Sequence, residues 1–174
     1  MFGRCCKIPR ITSPSWSRVE NTFREWRDFE ATEYYPQTAY FSLDEARTLT
    51  RDAYQKWLRE MEEQHLPDRL AKCDRFASAL EDFRSGIGTT DYGDTVVEIA
   101  EGIIRATRET KEAIEGVLDA CSQFRLAVRE ENDSESKEYY NLLVDREERI
   151  RKLITVISEG LSRIEGSSSA PDDD

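Results

Sequence analysis

The strongest constraint on the fold is a periodic apolar stretch that runs from Asp94 to Glu131 without a proline. Written as a heptad repeat that begins at Val96, its two main core series are apolar at every position except Thr110. The first series is Val96, Ile103, Thr110, Val117 and Phe124, and the second is Ile99, Ala106, Ala113, Ala120 and Ala127. This spacing predicts a single α-helix, which at about 1.5 Å per residue reaches roughly 57 Å.

The apolar arc of this predicted helix is wide. Positions beside the two core series are also apolar, and they include Val97, Ala100, Ile104, Ile114, Leu118, Cys121 and Val128. Because this arc is broader than the seam of a two-stranded coiled coil, we expect the helix to contact two or three neighbouring helices. The opposite face mixes acidic and basic side chains at the spacing of helical neighbours, which is typical of a solvated surface.

Three further helices are indicated before this stretch. Ser13 and Pro14 form a typical helix start, and the first helix, about residues 14–34, carries Trp16, Val19, Phe23, Trp26 and Phe29 and ends ahead of Pro36. A capping box at Ser42–Glu45 begins the second helix, whose stripe is Ala46, Leu49, Ala53, Trp57, Leu58 and Met61. The third helix carries Leu66, Leu70, Cys73, Phe76, Ala77, Leu80 and Phe83. Pro67 either separates the second and third helices or kinks one continuous helix.

A polar connection, residues 130–138, precedes a fifth helix. Its stripe is Tyr139, Tyr140, Leu143, Ile150, Leu153, Ile154, Ile157, Leu161 and Ile164, and Gly166 ends it. The short connection predicts an antiparallel hairpin with the long helix. No strand-like alternation occurs. The sequence therefore predicts an all-α fold, an elongated bundle of about five helices dominated by this long antiparallel carboxy-terminal hairpin. Residues 1–12 are expected to form a flexible basic arm, 13–165 a single bundle domain and 166–174 a disordered acidic tail.

Two charged residues, Arg146 and Glu147, interrupt the apolar stripe of the fifth helix. They can form a buried polar layer that fixes the register of the hairpin, because an unpaired buried charge would cost several kcal/mol. Alternatively the stripe shifts to Leu142, Val144 and Ile150, and both charges remain in water. The sequence leaves both arrangements open.

Few catalytic or metal-binding constellations are compatible with this composition. The chain has one histidine and four cysteines, which removes multi-histidine zinc sites and leaves His65 as the single imidazole for any catalytic pair. Glu62 and His65 have the spacing of a di-iron ligand pair, but such bundles need the pair twice. The glycine-rich segment Gly86–Gly93 lacks a P-loop lysine and carries Asp91, so it is interpreted as a turn. We expect no catalytic site, no metal and no cofactor.

Charge is unevenly distributed along the chain. The formal net charge is −11, yet residues 1–18 hold four bases and no acid, which leaves 21 bases and 36 acids in the remainder. A body this acidic is not expected to bind nucleic acid through bulk positive charge. No apolar run approaches the roughly 20 residues of a membrane span, and no signal peptide is evident. A cytoplasmic protein with reduced cysteines is therefore expected.

The basic arm carries the most specific functional hypothesis. Cys5 and Cys6 are adjacent and form a candidate site for lipidation by S-acylation, such as palmitoylation. Arg4, Lys7 and Arg10 are the candidate contacts to an anionic membrane surface, since an acyl chain and nearby bases together hold a protein at a bilayer.

Two functional hypotheses follow from these features. The first is a non-enzymatic protein–protein interaction or scaffold module of the cytosol, tethered peripherally to a membrane through the acylated arm, with an unidentified protein partner and a homodimer as a further option. The alternative is a membrane-inserting or membrane-remodelling bundle that uses the aromatic first helix. That helix carries acids among its bases, so its polar face is not the basic one expected of a lipid-binding helix.

Overall fold

The computed structural model describes residues 11, 13–38, 51–87 and 94–167. The α-helices are α1 (Pro14–Phe29), α2 (Tyr35–Thr38), α3 (Arg51–Glu60), α4 (Leu66–Ile87), α5 (Asp94–Arg129) and α6 (Asp133–Ser167). A first π segment, Glu30–Tyr34, joins α1 to α2, and a second π segment, Met61–His65, joins α3 to α4. No strand occurs in these ranges, so the all-α prediction is confirmed.

The helices form four antiparallel rods. The first rod covers residues 14–38, the second covers residues 51–87, and α5 and α6 are the third and fourth. The most extensive interface is the α5–α6 hairpin, while α1 packs against α4 and both α3 and α4 pack against α5. With 36 residues in α5, the hairpin extends roughly 54 Å, which confirms the predicted elongated bundle and its dominant hairpin.

The second rod is as long as the hairpin. It consists of segments of 10, 5 and 22 residues in unbroken succession, against 36 and 35 residues in α5 and α6. Among the described residues, therefore, the hairpin does not outreach the second rod, and only the first rod is shorter. The second and third predicted helices are one continuous rod.

Both π segments are followed by a proline at the same spacing. The backbone N–H of Tyr35 donates to the carbonyl of Glu30, and Pro36 comes next. Likewise the N–H of Leu66 donates to the carbonyl of Met61, and Pro67 comes next. A proline inside a helix lacks the amide donor and crowds the preceding turn. In both rods the helix continues past the proline. Pro36 therefore does not end the first helix as expected, and of the two possibilities for Pro67 the continuous helix is the one observed.

The turn between α5 and α6 is shorter than expected. It consists of residues 130–132, and α6 begins at Asp133. The side-chain oxygen of Asn132 accepts a hydrogen bond of 3.2 Å from the N–H of Glu135, which is a typical amino-terminal cap. Glu131 takes a positive φ of 59° to reverse the chain. Residues 133–138 are polar because the first turns of α6 face solvent, and for that reason they resembled a loop in the sequence.

Most of the predicted apolar stripes form the core. All five predicted residues of α1 are buried, and its start is confirmed because the Ser13 hydroxyl accepts from the N–H of Trp16. In α5 both predicted core series are buried except for the half-buried Ile99. Among the described stripe positions of the other helices Ala53 is exposed, and the half-buried ones are Leu70, Ala77, Tyr139, Leu153 and Ile154. Leu70 is half-buried because Arg69, one position earlier, occupies the interior.

Several predictions fall outside the described residues. These are the capping box at Ser42–Glu45, most of the arm 1–12, the glycine-rich turn beyond Ile87 and the tail beyond Ser167. Within the arm, Ile11 is described and buried. Helix α6 continues to Ser167, two residues past the predicted end of the bundle.

Candidate functional site

A charged side chain, Arg69, lies in the centre of the bundle. It belongs to the inward seam of α4, which follows alternating steps of three and four residues through Leu66, Arg69, Cys73, Phe76, Leu80, Phe83 and Ile87. None of the surface of Arg69 is exposed. A buried guanidinium is stable only when its donors are satisfied and its charge is balanced.

Glu30, the first residue of the first π segment, supplies one partner and is 3% exposed. The Nε and Nη2 atoms of Arg69 donate to the two carboxylate oxygens of Glu30 over 2.7 and 2.8 Å. This is the parallel two-bond geometry for which a guanidinium is suited. The indole Nε1 of Trp26, in the same rod as Glu30, donates to the same carboxylate over 2.8 Å. The two arginine bonds therefore connect the first rod to α4, and the indole bond lies within the first rod.

Glu147 in α6 supplies the second partner and is 5% exposed. The Nη1 atom of Arg69 donates to both of its carboxylate oxygens, over 2.9 and 3.1 Å. The hydroxyl of Tyr34 donates to Glu147 over 2.5 Å, and the Tyr34 ring lies 3.8 Å from the guanidinium carbon of Arg69. Arg69 thus joins three of the four rods. We call Trp26, Glu30, Tyr34, Arg69 and Glu147 the Arg69 cluster.

The Arg69 cluster contains two carboxylates and one guanidinium. The donors on Trp26 and Tyr34 compensate for the excess negative charge, because hydrogen bonds to a carboxylate stabilise its ionised form. Burial, reinforced by the two carboxylates, raises the pKa of Tyr34 well above its ordinary value, so this phenol remains a donor. Burial alone would lower the pKa of Arg69, but the phenol and both carboxylates raise it well above its ordinary value.

The first π segment explains how two residues of one short stretch face the cluster. In the wide turn, both Glu30 and Tyr34 are buried while Ala31, Thr32 and Glu33 are exposed. A regular α-helix would place residues three and four apart on one face, which would turn Glu33 partly inward. The extra residue of the π turn avoids this and aligns the Tyr34 hydroxyl with Glu147 on α6.

The two sequence alternatives for Arg146 and Glu147 are resolved residue by residue. Glu147 belongs to a buried polar layer, whereas Leu142 and Val144 are exposed, so the shifted stripe is wrong. The partners of Glu147 lie on the first rod and α4 rather than within the hairpin. Arg146 is half-buried and donates to the carbonyl of Gly116 across the hairpin. The sequence analysis missed Glu30, Tyr34 and Arg69.

The charged groups of the Arg69 cluster are used to hold three rods together. These groups are almost completely enclosed, and each carboxylate already accepts from at least two donors. The two described thiols, Cys73 and Cys121, are also buried, and burial raises the pKa of each to about 12. Among the described residues no group of three or more potential ligands could hold a metal.

Glu62 and His65, whose spacing resembles one half of a di-iron motif, lie in separate surroundings. Glu62 accepts from Arg125 over 2.7 Å and from the Ser122 hydroxyl over 2.6 Å, both on α5. His65 lies half-exposed in the second π segment, inside a continuous rod rather than at a helix end. The candidate lipidation residues Cys5 and Cys6, and the candidate membrane contacts Arg4, Lys7 and Arg10, lie outside the described residues.

Three described surface depressions differ in chemistry. One of about 380 Å³ between α4 and α5 is occupied by ion pairs, Arg84 with Glu101 and Arg108 with Glu81. One of about 210 Å³ between α1 and α6 is lined mainly by polar and charged side chains. The third, about 390 Å³, lies between α5 and α6 and contains Ile99, Ile103 and Val156. We call this third depression the hairpin groove.

None of the described helices has an apolar stretch long enough to cross a bilayer. No protein-family model matches the chain, and no curated protein and no solved structure resembles it at a significant level.

Proposed function

We propose that this chain is a non-enzymatic protein–protein interaction or scaffold module, held at a membrane through its basic Cys5–Cys6 arm. The observation that carries the proposal is the enclosed Arg69 cluster. Three rods share one guanidinium whose donors are all directed inward. Buried polar groups of this kind favour one packing register over others, and a rigid bundle of one register suits a partner-binding surface.

The reactive groups of the described interior support the same proposal. The buried carboxylates are occupied by donors, and the buried thiols have raised pKa values. A nucleophile or general base must reach its substrate and have a suitable pKa. The outer surface, in contrast, presents side chains to solvent along four rods, and this is where we place the function.

The proposal is tested by affinity capture of the full chain from its native cell in three versions. Arg69→Leu removes the centre of the cluster, and Arg84→Leu is the matched control because it removes an arginine from a partly exposed ion pair. We expect the set of captured proteins to be lost with Arg69→Leu and kept with Arg84→Leu. Equal capture by both variants would show that binding does not need the folded bundle, and would overturn the proposal.

The tether is tested separately by membrane fractionation. We expect the wild-type chain to sediment with membranes and Cys5→Ser with Cys6→Ser to release it. The matched control replaces the buried pair, Cys73→Ala with Cys121→Ala, and is expected to remain with membranes. A wild-type chain found entirely in the supernatant would exclude the tether while leaving the interaction module intact.

Membrane insertion by the first helix is less compatible with this structure. Trp16, Phe23, Trp26 and Phe29 are all buried, and Trp26 is bonded to Glu30 in the Arg69 cluster. Releasing them would expose four aromatic side chains and separate Glu30 from Arg69, which is costly for a buried pair. We therefore expect no leakage from anionic liposomes at concentrations that bind a partner. Rapid leakage would favour insertion instead.

A further inference from the structure

Apolar side chains from both helices line part of the hairpin groove. Val156 is 52% exposed, the highest value among the large apolar side chains of the described chain, and Ile99 and Ile103 face it from α5. Two glycines lie in the lining of the groove, and they differ in the space around them. A side chain at Gly102 would have nothing within 4 Å, whereas Gly160 lies against Ile103 and lets the helices approach.

Within the described ranges, some acids of the hairpin form ion pairs, and others, including the two beside the hairpin groove, do not. Glu101 and Glu109 pair with Arg84 and Arg149. Glu98 on α5 and Glu159 on α6, which line the groove, are exposed and take part in no ion pair within the described ranges. The one base of the groove, Arg163, already has an interaction within the protein.

An exposed apolar strip with an unpaired carboxylate on each side is complementary to a specific kind of surface. An amphipathic helix with an apolar stripe and flanking Lys or Arg residues would cover Val156 and bring a base to each carboxylate. The residues that line the groove, 95–103 and 156–163, cover about two helical turns. The contact is therefore small and suits a transient complex.

We propose that the hairpin groove binds a basic amphipathic helix of a partner protein. This inference rests on the proposed interaction function and names the surface and the partner class. The last residues of the chain, which include three aspartates and no base, are disfavoured as the occupant by the two carboxylates. The acidic body of a second copy would likewise bring an acidic surface to an acidic groove, so a separate basic partner is the complementary choice. The basic arm of a second copy, residues 1–12, is the competing occupant, and light scattering detects it as a dimer.

The probes are two synthetic helical peptides that share one leucine stripe at positions i, i+3, i+4 and i+7. One carries lysines beside the stripe and the other carries glutamates. With the full-length protein, isothermal titration is expected to give at least tenfold tighter binding for the lysine peptide, and higher salt is expected to reduce the difference. Equal binding of both peptides, or no binding of either, would overturn the proposal.

Variants locate the binding to the hairpin groove. Val156→Asp is expected to weaken the lysine peptide at least tenfold. Val144→Asp is the matched control, because Val144 is 37% exposed on the same helix and does not line the groove, and we expect less than a twofold change. Combined Glu98→Lys and Glu159→Lys should transfer the preference to the glutamate peptide. Equal effects of the two valine variants would place the peptide elsewhere and overturn the proposal.

Two further measurements separate the outcomes. Light scattering that shows a dimer in the wild type and a monomer in Val156→Asp would identify a second copy as the occupant, which overturns the proposal. Circular dichroism checks that both valine variants keep the fold.

Capture from the native cell distinguishes a failure of the groove assignment from a failure of the proposed function. If Val156→Asp retains every wild-type partner, the groove assignment fails while the interaction module stands. If the wild-type chain captures nothing, the proposed function fails, even where the peptide binds.

Discussion

Arg69 and Glu147 are 78 positions apart in the chain, and the Nη1 atom of Arg69 lies 2.9 Å from a carboxylate oxygen of Glu147. Glu30 holds the other side of the same guanidinium. Because the three residues belong to the first rod, α4 and α6, the position of each rod depends on the other two. Removing a single charge therefore has a larger effect than removing all of them, since a lone buried charge lacks compensation.

Replacing Arg69 tests this directly. Arg69→Leu leaves two buried carboxylates without their guanidinium, and we expect a loss of about 3–5 kcal/mol in the free energy of unfolding, measured in urea. The triple replacement Glu30→Leu, Arg69→Met and Glu147→Leu removes every charge and should recover most of that loss. Arg84→Leu breaks a partly exposed pair and should cost less than about 1 kcal/mol. A triple variant less stable than Arg69→Leu would contradict the conclusion that Arg69 compensates the two buried carboxylates.

Two buried tyrosines provide a matched comparison of satisfied and unsatisfied hydroxyls. Tyr34 donates to the Glu147 carboxylate, whereas the Tyr54 hydroxyl is buried with no hydrogen-bond partner in the described part of the chain. We expect Tyr34→Phe to cost about 1.5–3 kcal/mol, the range for a hydrogen bond to a charged group. Tyr54→Phe should be neutral or stabilising, because it removes a polar group that has no partner. Thermal unfolding of the two variants is the measurement, and equal losses would contradict this assignment.

The helices were predictable because their signal is local. The stripes of α1 and α5 emerge from spacing alone, and their residues are buried as expected. The Arg69 cluster was not predicted because its signal is distributed over three helices. Glu30, Arg69 and Glu147 each occupy a seam position with steps of three and four to apolar neighbours. Taken singly, Glu30 and Arg69 resemble surface charges, and Leu70 offered an apolar substitute for Arg69. Glu147 alone was noticed, because it interrupts an apolar stripe. The opposite charges of Arg69 and the two glutamates indicate a buried cluster only when the inward faces of the three helices are compared with one another.

The sequence did not predict that the first rod continues past Pro36, and it left open whether the second rod continues past Pro67. Pro36 and Pro67 are ordinarily helix breakers, and the spacing of apolar residues does not reveal a π turn. A π turn one residue before each proline keeps the rod intact. In the first of these turns Glu30 and Tyr34 are buried while Glu33 is exposed, so the irregular backbone keeps a third carboxylate out of the Arg69 cluster.

Thiol reactivity should divide the four cysteines into two classes. Burial raises the pKa of Cys73 and Cys121 to about 12, which lowers their thiolate fraction at pH 8 by about a thousandfold relative to a free thiol. We expect iodoacetamide to leave both unmodified in the folded chain and to label them in urea, as resolved by peptide mass spectrometry. Labelling of either residue in the folded chain at the rate of a free thiol would contradict the burial described for α4 and α5.

Alkaline pH should destabilise the fold through the same groups. Burial raises the pKa of Cys73, Cys121, Tyr34, Tyr35 and Tyr54 in the folded state. Their stabilising contribution is complete below the unfolded pKa values. Above about pH 9 the unfolded chain releases these protons first, so stability falls as pH rises, by about 1.4 kcal/mol per pH unit for each proton. Urea midpoints between pH 7 and 11 measure this, and Cys121→Ala should reduce the slope by one proton below the phenol range. A flat profile would contradict it.

The final prediction concerns a close approach of the hairpin helices at Gly160. A Cβ atom at Gly160 would lie 2.6 Å from the Cγ1 atom of Ile103, whereas a Cβ atom at Gly102 would meet nothing within 4 Å. Both glycines lie inside helices, and neither has a positive φ. Gly160→Ala should therefore cost about 1–3 kcal/mol through overpacking. Gly102→Ala should gain up to about 1 kcal/mol, because alanine is the better helix former. Urea unfolding of both variants gives the comparison. A stabilising Gly160→Ala would mean that the helices are farther apart at this point than Ile103 indicates. If the contact is the cause, Gly160→Ala should cost less in an Ile103→Ala background, which removes Cγ1, than in the wild type.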